Sequence, residues 1–149
     1  MRIGIISAVT WAEHAQDVLG AAGHRRGGAR DAVVGLLAQE ECCLTAQEMH
    51  DRLRGRGSPV GVASIYRVLD LLVEQGLVER VDTGQGTARY EARHASGEHH
   101  HHLVCDDCGK VEAFADEGLE RAIHEVQERA GARAHHILLH GACTECRPA

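Results

Sequence analysis

The sequence predicts an α+β fold in two parts: a helical head ending in a β-hairpin over 11–92, and a small C-terminal α/β unit over 93–149. Three observations predict it. Four segments of helical hydrophobic period precede Gly76. Two short β-capable arms follow, around a Gly-rich turn. Beyond Arg93 the chain becomes rich in His and Cys and carries two Cys-x-x-Cys pairs.

In the head, Trp11, Ala15, Val18, Leu19 and Ala22 recur at helical spacing, and Gly23 ends that segment. Ala29, Val33, Leu36 and Leu37 define a second helix, Ala29 to Ala38. Thr45 and Glu48 have the spacing of a capping box and open a third, Ala46 to Arg56, with Ala46, Met49 and Leu53 inward. Gly57-Ser58-Pro59 stops it. A fourth runs from Val62 to Gln75, with Gly76 as its stop. Leu77–Val81 and Thr87–Glu91 can pair across Asp82–Gly86. Helices followed by a two-stranded hairpin form a winged helix-turn-helix, whose helix before the hairpin, opening Val62-Ala63-Ser64-Ile65-Tyr66-Arg67, enters a DNA major groove. In the tail, His100–Cys105 and Val111–Phe114 read as paired strands. Leu119–Ala130 reads as a helix with Leu119, Ile123, Val126 and Ala130 inward, and His135–His140 as a last strand.

Composition narrows the function. The 149 residues suit one ordinary domain or two small ones. Aromatics are 3% of the chain, so the core must be aliphatic. No apolar run approaches the roughly 18 residues of a membrane helix. Met1 to Val9 is only faintly like a signal peptide and matches nothing later, so the fold is expected to begin at Trp11 in a cytoplasmic chain. The net charge of −6 argues against an indiscriminate nucleic-acid binder. Its distribution says more: residues 23–67 carry 7 Arg against 5 acids, whereas residues 81–149 carry 12 acids, 7 bases and 9 of the 12 His. A locally basic head precedes an acidic, cation-binding tail.

The six Cys of a cytosolic chain point to metal rather than disulfides. Cys105-x-x-Cys108 and Cys143-x-x-Cys146 can wrap one Zn²⁺ through four thiolates, a closed and therefore structural site. His99-His100-His101-His102 leads into the first pair. On a strand, His100 and His102 face one side and His99 and His101 the other, so one strand can serve two sites. No catalytic constellation competes: His124-Glu125 lacks the second His of a metalloprotease, and no Gly-x-Ser-x-Gly or phosphate loop occurs. Cys42 and Cys43, between two helices at an apolar spot, read as plain buried cysteines, with a ligand or redox role as the alternative.

Taken together, Ala46-Gln47-Glu48-Met49-His50-Asp51, Ser64-Ile65-Tyr66-Arg67-Val68-Leu69, the His run with Cys105-x-x-Cys108-Gly109-Lys110-Val111, and Cys143-x-x-Cys146 resemble the ferric uptake regulator family, from about Trp11 to Arg147. The resemblance implies a dimeric, metal-dependent transcriptional repressor that binds a palindromic operator through its head and dimerises through its tail. It implies a structural zinc at Cys105, Cys108, Cys143 and Cys146. It implies a regulatory site at Glu79, His94, His100 and His102, and an additional site at His99, His101, Glu120 and His135. Arg25, Ser64, Tyr66 and Arg67 match DNA contacts, with Arg26 and Arg30 as further phosphate partners.

Two departures concern the sensed metal. Cys43 stands where the iron branch has His, and Ala113 where it has an acid, with Glu112 one residue short. A set of three His and one carboxylate suits tetrahedral Zn²⁺ and also admits Fe²⁺, Mn²⁺ or Ni²⁺. The expectation is a zinc-uptake regulator. An iron- or peroxide-responsive member of the family is the alternative, and a metal-buffering protein without DNA binding the alternative from another class. Neither a membrane nor a small organic substrate is expected as a partner.

Overall fold

The computed structural model describes residues 4–94, 100–133 and 136–148, with the backbone alone for residues 4–10. The chain divides into two compact units, Met1–Gly97 and Glu98–Ala149.

The first unit contains α1 (Gly4–Ala21), α2 (Gly28–Leu37), β1 (Leu44–Thr45), α3 (Ala46–Gly55), α4 (Val62–Glu74), β2 (Val78–Val81) and β3 (Arg89–Ala92). Trp11, Ala15 and Leu19 lie one turn apart on α1 and are buried. They join Val33, Leu36 and Leu37 of α2, Met49 and Leu53 of α3, and Ile65, Leu69 and Leu72 of α4 in one core. The expected aliphatic core is therefore present, with Tyr90 of β3 closing its sheet side.

Two features differ from expectation. Helix α1 begins at Gly4, so the segment before Trp11 extends the helix instead of standing outside it. Its Ile, Val and Thr disfavour helix intrinsically, which hid the continuation. The wing also gains β1, making a three-stranded sheet of order β1-β3-β2. Two residues are too few to show a period of two.

Thr45 and Glu48 do form the capping box. Thr45 Oγ1 accepts from the Glu48 N–H at 3.1 Å, and Glu48 Oε2 accepts from the Thr45 N–H at 2.9 Å. The same Glu48 oxygen receives Arg89 Nη1 at 3.0 Å, so the cap of α3 is tied to the wing.

The second unit contains β4 (His101–Cys105), β5 (Val111–Phe114), α5 (Glu117–Ala130) and β6 (Leu138–Gly141). Strand β4 is central, antiparallel to β5 and parallel to β6. Asp116 caps α5 through the Leu119 N–H at 2.8 Å. Gly131 ends it in the left-handed region at φ 62°, which favours glycine.

Nothing on α5 is fully buried. Leu119 and Ile123 are half-buried, while Ala130 and Val126 are exposed, Val126 by 53%. The expected inward row is thus only half covered within one chain, because a sheet of three short strands is too small to cover it. Among the described residues, the buried side chains of this unit are Val104, Cys105, Cys143, His101 and His102. So few apolar groups cannot stabilise a unit this small, and such units depend on a metal or another staple.

Candidate metal centres and nucleic-acid face

Strand β4 organises the second unit's chemistry. Its last residue, Cys105, pairs with Gly141 of β6. The chain then turns: the Gly109 N–H donates to the Cys105 carbonyl at 2.9 Å, and the Cys105 N–H to the Lys110 carbonyl at 2.9 Å. Gly109 sits at φ 76°, where a side chain would be strained. A second turn follows β6, with the Cys146 and Arg147 N–H groups on the Cys143 carbonyl at 3.1 and 2.8 Å.

The two turns bring the four sulfurs of Cys105, Cys108, Cys143 and Cys146 within 4.8 Å of one another, with Cys108 and Cys143 at 3.8 Å. With Zn–S bonds of about 2.3 Å, the edge of a four-thiolate tetrahedron is about 3.8 Å. The donor set and spacing fit zinc. The Cys143 N–H donates to Cys105 Sγ at 3.3 Å. That bond, followed by one from the Cys108 backbone, pulls the Cys105 thiol down to about 6. Cys146 is pushed up by the neighbouring thiols of Cys143 and Cys108. One thiolate is therefore ready before any metal arrives, and the other sulfurs crowd around it.

The His run alternates as a strand requires. His101 faces α5: its Nε2 lies 2.5 Å from Glu120 Oε1, and its Nδ1 accepts the Ile137 N–H at 3.2 Å. His100 and His102 meet on the other side, ring centroids 5.1 Å apart. His102 is fully buried, and its Nδ1 is 3.0 Å from Nε2 of His136. Of the additional set, His101 and Glu120 are brought together, while His99 and His135 lie outside the described residues. His136 escaped sequence reasoning; its only signal was being one of two adjacent His before β6. Glu112, the alternative acid, is paired with Lys110 at 2.8 Å.

In the first unit, Glu79 lies on β2 directly opposite Glu91 of β3. His94 follows β3 with its ring 6.3 Å from that of Trp11. Glu91, buried at 8% exposure, was also missed. Its signal was an acid on a strand whose neighbours, Tyr90 and Ala92, are apolar.

Most of the residues expected to meet nucleic acid lie on α4. Tyr66 is 42% exposed. Arg67 is exposed one turn from Ser64, which accepts its Nη2 at 2.9 Å and so fixes its direction. Arg25 is exposed in the loop between α1 and α2. Arg30 is not available as expected: it is buried, with Nη2 on the His24 carbonyl at 3.2 Å, and it braces that loop. Arg26 lies 3.6 Å from Asp31. An open groove of about 460 Å³ is lined by Gly28, Ala29, Ser58, Gly61 and Ser64 among others. The N-termini of α2 and α4 border it, and neither receives a side-chain cap. Uncapped helix N-termini present N–H groups to anions, one of the ways a protein holds a DNA phosphate.

A helix-turn-helix with a wing, beside a unit clipped by two Cys-x-x-Cys turns, restricts the comparison sharply. The profile of the ferric uptake regulator family matches residues 21–141. The chain belongs to the ferric uptake regulator family. It is 37% identical over 131 residues to the zinc uptake regulation protein of Mycobacterium tuberculosis, covering 87% of this chain and 99% of that one. Among solved structures, the Helicobacter pylori ferric uptake regulator, described with three functional metal-binding sites, superposes with a TM-score of 0.78 at 26% identity over 95% of both chains. The Vibrio cholerae ferric uptake regulator, described with DNA-binding domains that rearrange, does so at 0.73 and 32% identity, over 85% of this chain and 98% of that one.

As a member of this family the chain is a metal-responsive transcriptional regulator, and its four-cysteine cluster could hold a zinc ion. Among the described residues, no helix is long and apolar enough to cross a membrane.

Proposed function

We propose that this regulator senses zinc and represses its target genes as a homodimer on a palindromic operator. The regulatory ion is assigned to Glu79, His94, His100 and His102. The observation that supports this most is the pairing of His100 with the fully buried His102 on the strand that ends in the structural zinc site. Buried imidazoles with a second-nitrogen partner, as His102 has in His136, are typical of ordered metal ligands. Three imidazoles and one carboxylate suit tetrahedral Zn²⁺. The zinc uptake regulation protein that matches 87% of the chain supports the same metal. Cys43 and Ala113, standing where the iron branch has His and an acid, count against iron.

These ligands are distributed over β2, the segment after β3, and β4 with the residue just before it. An ion held by all four restricts the attitude of the DNA-binding unit. Affinity for the operator then rises by the inverse of the competent fraction in the metal-free protein. The coupling is reciprocal, so operator DNA tightens metal binding equally. The half-covered face of α5, with Val126 exposed by 53% and Leu139 of β6 by 43%, supports dimerisation through the second unit. Arg25, Ser64, Tyr66 and Arg67 are assigned to the DNA, and the groove between the N-termini of α2 and α4 to a phosphate. The additional site is assigned to His99, His101, Glu120 and His135.

The test is operator binding by fluorescence anisotropy in buffered free Zn²⁺, then in anaerobic Fe²⁺, Mn²⁺ and Ni²⁺. Activation at the lowest free concentration by Zn²⁺ is expected. His100→Ala or His102→Ala should abolish that activation and leave a folded dimer. Activation by Fe²⁺ or Mn²⁺ with no response to Zn²⁺ would overturn the zinc assignment.

A further inference from the structure

Between α1 and α2, residues 24–27 form a loop that is held at both ends and carries Arg25 in between. At its start Gly23 sits at φ 85°, and the His24 N–H donates back to the Leu19 carbonyl at 2.9 Å. The His24 carbonyl accepts Arg30 Nη2 at 3.2 Å, so both main-chain groups of His24 are bonded. At the loop's end the Gly27 carbonyl accepts the Asp31 N–H at 2.9 Å. The Asp31 carboxylate accepts Gln16 Nε2 of α1 at 3.0 Å and lies 3.6 Å from Arg26 Nε. Arg25 is exposed and, among the described residues, is the arginine of this loop that has no partner.

Arg30 is the unusual member of this set. It is 7% exposed, no carboxylate among the described residues pairs with it, and its Nε has no hydrogen-bond partner. It stands in the first turn of α2, where the helix dipole disfavours a cation. A guanidinium buried in this way costs stability, and an apolar side chain of similar length would cost less. Helix formation and core packing therefore do not account for it. Its hydrogen bond goes to the carbonyl of the residue directly before Arg25.

We propose that Arg30 is a positioning residue for DNA recognition: by holding the His24 carbonyl it keeps the α1–α2 loop in one shape, so that Arg25 meets the DNA already aimed. The His24 carbonyl and the Arg25 N–H lie in one peptide plane, so fixing the first fixes the backbone direction at the second. A loop fixed before binding loses less freedom when it docks, and the affinity gained that way disappears when the loop is released. The inference rests on the assignment of Arg25 to the DNA. It replaces the phosphate contact expected of Arg30 with an indirect role.

The test is a double-mutant cycle on the Zn²⁺-saturated full chain, with a fluorescent duplex from the protein's own promoter as the probe. Arg30→Met removes the donors and keeps a long apolar stem. It should weaken binding at least about fivefold in the wild-type background and less than about twofold in the Arg25→Ala background. Arg30→Lys, which keeps a donor at the end of its stem, should stay within about twofold of the wild type. If Arg30→Met does not fold, Arg30→Gln takes its place in the same cycle. A second readout needs no DNA. Trypsin cuts after Arg25 and Arg26, and Arg30→Met should speed that cleavage at least about tenfold while leaving cleavage after Arg67 of α4 unchanged. Equal losses of affinity in both backgrounds would mean that Arg30 touches the DNA itself or serves the fold alone, and would overturn the inference. Cleavage after Arg25 at the wild-type rate would do the same. Both outcomes leave the assignment of Arg25 intact, whereas an Arg25→Ala variant that binds as tightly as the wild type would overturn that assignment and the inference with it.

Discussion

Nε2 of His101 lies 2.5 Å from Oε1 of Glu120, while Nδ1 of the same ring accepts the Ile137 N–H. A neutral imidazole that accepts at Nδ1 carries its proton on Nε2 and donates it to the carboxylate. His101 thus links β4 to α5 before any metal binds. A metal taken by Nε2 needs that nitrogen deprotonated, and the ring then regains a proton at Nδ1. Filling the additional site should therefore break the Ile137 bond. Nitrogen-15 NMR should show the Nε2–H tautomer in the metal-free state, with the Ile137 amide exchanging at least tenfold faster once the site is filled. An unchanged amide with the site filled would contradict this.

Removing zinc from the four-cysteine site should unfold the second unit and spare the first. Structural zinc contributes on the order of 10–16 kcal/mol in small domains, as large as the whole stability of a typical one. The second unit has few buried apolar groups to compensate, whereas the first has its own core. Cys143→Ser, or a strong chelator, should lose the zinc and the near-native signals of β4–β6. The helical circular-dichroism signal of α1–α4 should persist.

Acid should release that zinc cooperatively. Cys105 is already a thiolate above about pH 6, while Cys108 and Cys146 are held above their ordinary values. Zinc uptake at pH 7 should therefore expel about two protons or more, measurable by calorimetry in buffers of different ionisation enthalpy. The sign for the metal-free unit follows from the depressed Cys105: its stabilisation is complete above the ordinary thiol value and is lost as the pH falls through about 6. Zinc retention should fall steeply over the same range.

The cap of α3 should matter more than an isolated cap. Thr45→Ala should cost about 1 kcal/mol. Glu48→Ala should cost more, because it removes the reciprocal cap and also strands Arg89, which is only 11% exposed. Urea unfolding midpoints rank the two, and equal values would mean that the Arg89 contact contributes nothing.

On the DNA face, Arg67→Ala should weaken operator binding by about 1–3 kcal/mol if the guanidinium reads a base. Ser64→Ala should weaken it less, because it frees the direction of Arg67 without removing its charge. Arg25→Ala should lower affinity for all sequences alike and reduce the salt slope by about one.

Much of this was legible in the chain. Helix periods, the Thr45–Glu48 cap, the Gly131 stop and the two Cys-x-x-Cys turns are local patterns, and each has a local physical cause. The alternation of His100, His101 and His102 followed from strand geometry alone. What escaped depends on partners distant in sequence. Strand β1 exists because β3 offers it a ladder. Glu91 matters because Glu79 stands across from it. His136 matters because β6 runs parallel to β4. The burial of Arg30 depends on where the His24 carbonyl turns. The α5 face reads as inward by period, yet stays half open because periodicity says which residues share a face and not what covers it.

Strand β4 also limits how this protein can change over generations. Five consecutive residues, His101 to Cys105, set the aim of imidazoles toward both faces of a sheet and place the first thiolate at its end. Inserting or deleting a single residue there would reverse every one of those directions at once. Substitution at one position is the only gradual route open to this segment. Drift in metal preference should accordingly accumulate at the donors that lie outside it, such as Glu79, His94 and Glu120, while the length of the strand stays fixed.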